Sequence, residues 1–399
     1  MFFKSRTPSS DEALVEELLD RSVVEIIPSR ESLKKLLLSG KRLRIKLGID
    51  PTSPDIHLGR SVALLKLKDF ERLGHQVVAI VGDFTGVIGD TSDKEAERPM
   101  LSKDAIEKNK QKYFEQAGKI LNMRRAEAHY NSKWLSKLNY HDVGEHADQF
   151  SLSDFIARDL IHKRLEAGKR VSLREVLYPL MQGYDSVAVK ASVELGGTDQ
   201  RFNLLAGRTL QTHYKQEPQH VMILGPLLPG TDGRKMSSSW GNTINLTDTP
   251  NDMFGKVMSL PDNLIEPYFA HATRVPIKGV QEIVGGHPKD AKLALAKELV
   301  RMYHGATAAD QAKAHFENTF AQGKTPEEVK EIKSHGTLKD TLVKNGVVSS
   351  NSEFTRLLTG KAIYLKRDGD DVIISDTGVN VQVGETYRIG KHRFVKIVK

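Results

Sequence analysis

The chain has 399 residues, no cysteine and a formal net charge of +8. This length is too great for one ordinary hydrophobic core and fits two or three domains. The lack of cysteine excludes disulfides, thiolate nucleophiles and cysteine-ligated zinc, and no apolar run approaches the ~18 residues that a membrane span requires. The basic charge favours a polyanionic partner, although many basic proteins bind none.

Before residue 225 the chain alternates short apolar runs with helical patterns. Residues 11–38 predict two short helices, with Ser29 or Ser32 as a candidate N-cap. The predicted strands are Leu43–Ile49, Gln76–Val81, Ala126–Tyr130, Val193–Leu195 and His220–Leu224. The predicted helices that accompany them are Leu58–Leu73, Lys103–Leu121, Ser153–Leu165, Leu173–Val189 and Asp199–Gln211. This alternation predicts a doubly wound α/β domain with a parallel sheet, whose ligands bind beyond the carboxyl ends of the strands.

The pattern changes after residue 240. Residues 251–320 read as helical, and residues 322–328 have the composition of a linker. From residue 335 a helix-turn-helix pattern precedes β-like runs, and residues 335–399 carry eleven Lys and Arg against seven Asp and Glu. A basic module of this kind suits phosphate contacts with RNA. Arg356 on the second short helix and Lys361 just after it are the predicted contacts, although the tail could instead pack as a solvated basic face.

Two short segments predict a nucleotide site. His57-Leu58-Gly59-Arg60 follows the first predicted strand and begins a helix, whose free N–H groups and dipole suit a phosphate. Lys235-Met236-Ser237-Ser238-Ser239 lies in a Gly-flanked loop, with one lysine and three hydroxyls that can hold a polyphosphate. Either segment alone has little specificity. In this order, and on these elements, they indicate one shared site.

The loop that follows each of the first two predicted strands offers further ligands. Asp50-Pro51-Thr52 places a hydroxyl close to His57, where it can bond phosphate oxygens in a transition state. Read alone, it is a turn before a capped helix. The glycine-rich stretch 82–94 lets backbone approach a ligand closely, with Asp90 suited to an ammonium and Lys94 and Arg98 to a leaving pyrophosphate. The alternative is a plain glycine-rich connection.

Polar residues also follow a helical spacing later in this region. Tyr178, Gln182 and Asp185 fall at i, i+4 and i+7, so one helix face carries a phenol, an amide and a carboxylate. The rest of this helix is apolar, which favours a ligand-binding face over a solvated one. After the fourth strand, Gly196-Gly197-Thr198-Asp199-Gln200 places an acid where it can accept ribose hydroxyls, or forms a simple turn with an N-cap.

Together these segments resemble the ATP-binding signatures of class I aminoacyl-tRNA synthetases. Over nearly its whole length the chain resembles the bacterial tyrosyl-tRNA synthetases, and within that family it is similar to a second bacterial subgroup. Tyr178, Gln182 and Asp185, followed by the stretch 196–200, carry the most specific part of the resemblance. The implied roles fall into three groups: Asp90, Tyr178 and Gln182 for the amino group of tyrosine and Asp185 for its hydroxyl; Thr52, His57, Lys94, Arg98 and Lys235 for the polyphosphate in the transition state; Asp50, Gly59, Arg60, Asp199, Gln200 and Ser237 for ATP and the adenylate.

The resemblance also implies an organisation and a set of partners. We expect a Rossmann-like catalytic domain with N-terminal helices over 1–240, an α-helical anticodon-binding domain over 241–325 and a small α+β RNA-binding domain over 335–399. The implied reactants are L-tyrosine, ATP with its Mg²⁺, and tRNA(Tyr). No tightly bound cofactor or protein metal site is expected, since the 14 histidines show no paired ligand spacing. A cytoplasmic homodimer with no membrane association completes the expectation.

Three residues depart from the usual pattern. Arg60 stands where the first signature usually has a second histidine, Ser238 where the second often has a lysine, and Lys46 where many relatives have a tyrosine that reads the substrate hydroxyl. What besides Asp185 holds that hydroxyl is therefore open. The rival functions are a tryptophanyl-tRNA synthetase, a small-molecule nucleotidylyltransferase and a non-catalytic RNA-binding relative.

Overall fold

A computed structural model describes residues 8–90, 100–318, 329–348, 350–367, 371–390 and 393–398. The chain divides into two compact units, residues 1–306 and 307–399. None of the helices within the described ranges is long and apolar enough to cross a membrane.

The first unit is built on a six-stranded sheet. Its strands are β1 (Val23–Ile27), β2 (Arg44–Ile49), β3 (Gln76–Val81), β4 (Glu127–Tyr130), β5 (Val193–Gly197) and β6 (His220–Leu224). Their order is β1-β6-β5-β2-β3-β4, and all neighbours are parallel except β1 and β6. The predicted doubly wound α/β fold is therefore confirmed. Because the chain leaves β2 towards β3 and β4 and later returns to its other side as β5, the switch point lies between β2 and β5, where ligands bind in such sheets.

Helices surround this sheet and then continue beyond it. They are α1 (Glu12–Asp20), α2 (Arg30–Leu38), α3 (Leu58–Arg72), α4 (Thr85–Ile88), α5 (Lys103–Lys110), α6 (Tyr113–Ala117), α7 (Ser132–Leu135), α8 (Tyr140–Ala147), α9 (Leu152–Ile156), α10 (Asp159–Glu166), α11 (Leu173–Val189), α12 (Arg201–His213), α13 (Pro250–Met258), α14 (Ile265–Ala272), α15 (Ile277–Val284) and α16 (Pro288–His304). Strands β3 and β6 are buried on both faces, which explains their nearly continuous apolar sequences.

The N-terminal stretch differs from the prediction. Both expected helices are present, and Ser29 is the N-cap of α2, but β1 lies between α1 and α2. Its Val-Val-Glu-Ile-Ile sequence is rich in β-branched residues, which favour strands. It is also only five residues long, so its period cannot distinguish a strand from the end of a helix.

Helix α11 carries the predicted polar face and begins at a firm N-terminus. Ser172 is its N-cap, and the Glu175 carboxylate accepts a hydrogen bond of 3.0 Å from the Ser172 N–H in a capping box. The same carboxylate forms a buried ion pair of 2.7 Å with Arg164 of α10. These contacts fix the beginning of the helix that presents Tyr178, Gln182 and Asp185.

The second unit contains one more sheet and the helix-turn-helix pattern. It includes most of α17 (Ala306–Phe316), then β7 (Lys330–Lys333), α18 (Leu338–Lys344), α19 (Asn351–Thr359), β8 (Ile363–Leu365), β9 (Val372–Ile373), β10 (Thr386–Ile389) and β11 (Arg393–Val398). The strand order is β7-β11-β10-β8-β9. Leu338, Phe354 and Tyr387 lie in one buried core. The predicted helices and β-like runs are therefore confirmed, while the linker composition at 322–328 lies outside the described residues.

Candidate active site

Asp50 lies at the carboxyl end of β2, where the sheet switches direction. Its two carboxylate oxygens accept hydrogen bonds from the Thr85 hydroxyl at 2.7 Å and from the Tyr178 phenol at 2.8 Å. Burial raises the pKa of Asp50 to about 6, against the lowering effect of these two hydrogen bonds. Gly82 is required beside it, because a Cβ there would overlap the carboxylate and the Thr85 hydroxyl. The contact joins the end of β2 to α11.

Asp185, one helical turn beyond Gln182, is also held on both oxygens. The Trp134 indole N–H donates to it at 2.7 Å, and the Asn131 amide donates at 3.2 Å. The side chain is almost fully buried, and this burial raises the pKa of Asp185 to about 7. The predicted polar face of α11 is therefore directed inward, and the solvated-face alternative is wrong.

Sequence reasoning missed Asn131 and Trp134. Asn131 directly follows β4, and its buried amide also donates to the Thr85 hydroxyl at 2.9 Å. A polar residue at the carboxyl end of a parallel strand is a usable signal. The indole at position 134 gave no such signal, because a single tryptophan in a short helix is commonly a packing residue.

Lys46 contacts α11 and β5 through its ammonium group. The ammonium group donates to the main-chain carbonyl of Gln182 at 2.9 Å and to the Ser186 hydroxyl at 2.7 Å, and it pairs with the Glu194 carboxylate at 2.9 Å. The Gln182 side-chain amide donates to Glu194 at 3.2 Å. Lys46 therefore lies behind α11 in a buried network.

Asp90 lies close to the end of β5. The Gln200 side-chain amide donates to its carboxylate at 2.6 Å, and the Asn203 amide approaches at 3.5 Å. Asp199 and Gln200 form a short 3₁₀ turn after β5, and a Cβ on Gly197 would crowd the Asp199 carboxylate. The structure thus brings the glycine-rich loop and the 196–200 stretch together.

The two predicted nucleotide signatures are in contact. His57 is the N-cap residue of α3 without a side-chain capping bond, and its buried Nδ1 has no hydrogen-bond partner within the described chain. The Gly59 N–H lies 3.4 Å from the Met236 sulfur. Burial, followed by the charges of Arg60 and Lys235, lowers the pKa of His57 to about 3. The imidazole is therefore neutral at physiological pH and can act only as a hydrogen-bonding group.

Arg60 is tied into the same region. Its guanidinium donates to the Thr52 hydroxyl at 3.0 Å and to the Tyr113 hydroxyl at 2.9 Å. The Tyr113 hydroxyl in turn donates to the Ser53 carbonyl at 2.8 Å. The arginine thus places a fixed positive charge beside Thr52 and close to the first turn of α3.

The loop that carries Lys235 has its own internal support. The Asn242 amide accepts from the Ser237 N–H at 2.9 Å and donates to the Lys235 carbonyl at 3.1 Å and to Asp232 at 2.8 Å. Arg234 pairs with Asp232 at 2.6 Å, while Lys235 itself is exposed. Ser238 begins a short 3₁₀ turn. Asn242 therefore shapes the loop while leaving the lysine at the surface.

Four predicted residues remain to be located. Lys94 and Arg98 fall outside the described residues. Arg356 and Lys361 are exposed, on α19 and just after it, in the second unit. Among the described residues, one group has ligand atoms close enough together to hold a metal ion: His141, Asp142 and Glu145 on α8. Exposed acidic groups of this kind are common without a bound metal.

The sequence of the chain is similar to those of known proteins. Residues 38–321 match the family described as tRNA synthetases class I (W and Y). The tyrosine–tRNA ligase of Carboxydothermus hydrogenoformans is 44% identical, over 96% of this chain and 97% of the relative. That of Thermotoga maritima is 42% identical over 96% of each.

Solved structures resemble the fold at lower identity. A truncated mitochondrial tyrosyl-tRNA synthetase of Aspergillus nidulans superposes with a TM-score of 0.67 at 23% identity, over 79% of this chain and 95% of that one. The tyrosyl-tRNA synthetase of Archaeoglobus fulgidus, solved with L-tyrosine, gives 0.61 at 22% identity, over 76% of this chain and 100% of that one.

Proposed function

The chain belongs to the class I tRNA synthetases of the tryptophan and tyrosine group, and we propose from its site that it is the tyrosine-specific ligase. The tyrosine carboxylate attacks the α-phosphate of ATP, giving tyrosyl-adenylate and pyrophosphate. A ribose hydroxyl of the terminal adenosine of tRNA(Tyr) then attacks the tyrosyl carbonyl, and AMP leaves. The observation that carries this proposal is Asp185, a buried carboxylate fixed by Asn131 and Trp134 on the same helix as Tyr178 and Gln182.

Asp185 reads the hydroxyl of the substrate. Each of its oxygens already accepts one bond from the protein, and an ionised carboxylate has further lone pairs for a phenol O–H. Phenylalanine would leave this buried acceptor with one partner fewer, which costs binding energy. Asp90, Tyr178 and Gln182 hold the ammonium group of tyrosine, where the negative charge of Asp90 is the complement of the cation.

The ATP phosphates lie over the beginning of α3. Its first N–H groups and the helix dipole attract the phosphates, and neutral His57 at the N-cap of the helix adds a hydrogen-bonding group beside them. Thr52 and Lys235, with Lys94 and Arg98, stabilise the charge that develops on the leaving pyrophosphate. Gly59, Arg60 and Ser237 complete the phosphate site.

The nucleoside lies towards the switch point. Asp50, Asp199 and Gln200 line the adenosine and the adenylate. Mg²⁺ arrives bound to ATP as part of the substrate and offsets its charge. No step needs a covalent enzyme intermediate, since positioning and electrostatic stabilisation are sufficient for adenylate formation.

The remaining chain binds tRNA. We assign adenylate chemistry to 1–240, anticodon contacts to the helices of 241–325 and further RNA contacts to 335–399, through Arg356 and Lys361. A chain that ends at residue 323 should retain tyrosine-dependent pyrophosphate exchange but charge tRNA poorly. Full-rate charging by the truncated chain would contradict this assignment.

We further propose that the protein acts as a homodimer in the cytoplasm, where translation uses its product. Large apolar side chains are exposed within the segment 140–173, including Tyr140 at 98%, Leu152 at 64% and Leu173 at 70%. Contiguous exposed apolar patches mark interaction surfaces, and we infer that these side chains form such a patch. Sedimentation equilibrium should give twice the chain mass for the wild type, and a monomer for a Leu152→Glu, Leu173→Glu double variant.

Tyrosine-dependent exchange of pyrophosphate into ATP tests the main proposal. Exchange with tyrosine and none with phenylalanine or tryptophan is the expected result. Exchange driven by tryptophan would support the tryptophan-specific rival. Exchange without any amino acid would support a nucleotidylyltransferase, and no exchange at all a non-catalytic relative.

A further inference from the structure

The buried pair of Lys46 and Glu194 lies directly behind the substrate side of α11. Both side chains are fully buried, and their charged groups are 2.9 Å apart. A buried ion pair is a weak source of stability, because desolvation opposes the attraction between the charges. Stability alone therefore does not explain why two charged residues are buried here, and the contacts of the pair indicate another role.

The Glu194 carboxylate accepts hydrogen bonds from four side chains. It receives the Gln182 amide at 3.2 Å, the Ser186 hydroxyl at 3.0 Å and the Gln219 amide at 2.5 Å, besides Lys46. Only an ionised carboxylate can accept from all of these donors, because it has no proton of its own to place. The side-chain NH₂ group of Gln182 is therefore directed at Glu194, and the side-chain oxygen Oε1 points away from it.

This orientation matters for the substrate. The Gln182 Oε1 has no protein donor among the described residues, and the side chain is partly exposed, unlike Glu194 behind it. An amide oxygen accepts from an ammonium group, whereas a reversed amide would direct its N–H groups at a cation. Lys46 secures the arrangement, because its three N–H groups donate to the main-chain carbonyl of Gln182, the Ser186 hydroxyl and the Glu194 carboxylate.

We propose that Lys46 and Glu194 are a positioning pair for amino-acid recognition: Glu194 sets the orientation of the Gln182 amide towards the substrate ammonium, and Lys46 holds Glu194 in place. This inference rests on the proposed tyrosine-activating function and adds to it a determinant beneath the site. Lys46 thus serves the ammonium end of the substrate through Gln182.

Glu194→Gln tests the pair, because it keeps the shape and replaces one acceptor oxygen by a donor. The Gln182 amide can then reverse, and the KM for tyrosine should rise on the order of 10-fold or more, with little change in kcat or in the KM for ATP. The inhibition constant of 3-(4-hydroxyphenyl)propanoate, which lacks the ammonium group, should stay unchanged. In a Gln182→Ala background the Glu194→Gln change should have no further effect on tyrosine.

Two further variants keep the test interpretable. Lys46→Met with Glu194→Gln removes both charges, so it leaves no unpaired buried charge if the single variant fails to fold, and it should show the same selective rise. Lys66→Met is the matched control, since Lys66 is equally buried but donates to the Leu18 carbonyl; its KM for tyrosine should equal that of the wild type.

An equal loss of affinity for tyrosine and for the propanoate would overturn the inference, because it indicates general damage to the pocket. Unchanged tyrosine kinetics in the variants would overturn it too. Wild-type enzyme without tyrosine-dependent exchange would instead refute the proposed function, so the two failures are distinguishable.

Discussion

Replacing Asp185 by asparagine should remove the contribution of this carboxyl to the pH dependence of stability and weaken the preference for tyrosine. Burial raises the pKa of this carboxyl to about 7 from an ordinary value of 3.8. The native state therefore holds a proton that the unfolded chain has released, at every pH between these two values. The stability that this carboxyl contributes therefore falls as pH rises through this window and levels off above about 7.

The size of the effect follows from the shift. One pKa unit corresponds to about 1.4 kcal/mol, so the wild type should lose about 2–3 kcal/mol relative to Asp185→Asn between pH 5 and pH 8. The asparagine oxygen can still accept from Trp134, but its NH₂ group would face the Asn131 amide and lose that bond, at a cost of about 1 kcal/mol. The variant should be the less stable protein at pH 5 and the more stable one at pH 8.

Urea unfolding of both proteins at pH 5, 6, 7 and 8, followed by tryptophan fluorescence, measures this difference. In parallel, the KM for tyrosine should fall in the wild type from pH 6 to pH 8, as Asp185 ionises, and should not do so in the variant. The variant's preference for tyrosine over phenylalanine in pyrophosphate exchange should fall on the order of 10- to 100-fold, as for a lost bond to a charged group. Parallel stability curves together with an unchanged preference would refute the role of Asp185.

Three further predictions concern other parts of the chain. Lys235→Ala should raise the activation barrier by roughly 3 kcal/mol, as for a lost oxyanion donor, while tyrosine affinity measured by equilibrium dialysis stays near wild type; weakened binding at an unaltered rate would contradict this. Gly82→Ala should displace Asp50 and lower exchange activity, because a Cβ overlaps its carboxylate; normal activity would show that the backbone there yields freely. Arg356→Ala with Lys361→Ala should weaken tRNA binding and reduce its salt slope by about 2, without changing exchange; an unchanged slope would remove both residues from the RNA contact.

The sequence was sufficient for the five parallel strands of the first sheet and for helix α11. Strand and helix periods predicted β2 to β6 and the full extent of α11, since both patterns report which side of an element is buried. The helical spacing of Tyr178, Gln182 and Asp185 was enough to place them on one inward face. The antiparallel edge strand β1 was missed, because five residues are too few to show a period.

Tertiary structure decided which groups meet across the sheet. Trp134 and Asn131 lie some fifty residues before Asp185 in the chain, and nothing local to either predicts a hydrogen bond to that carboxylate. Lys46, whose role the sequence left open, pairs with Glu194 on the neighbouring strand. Sequence patterns determine the faces of helices and strands because those depend on neighbours in the chain. Partners of buried polar groups depend on strand order and register, which only the folded chain fixes.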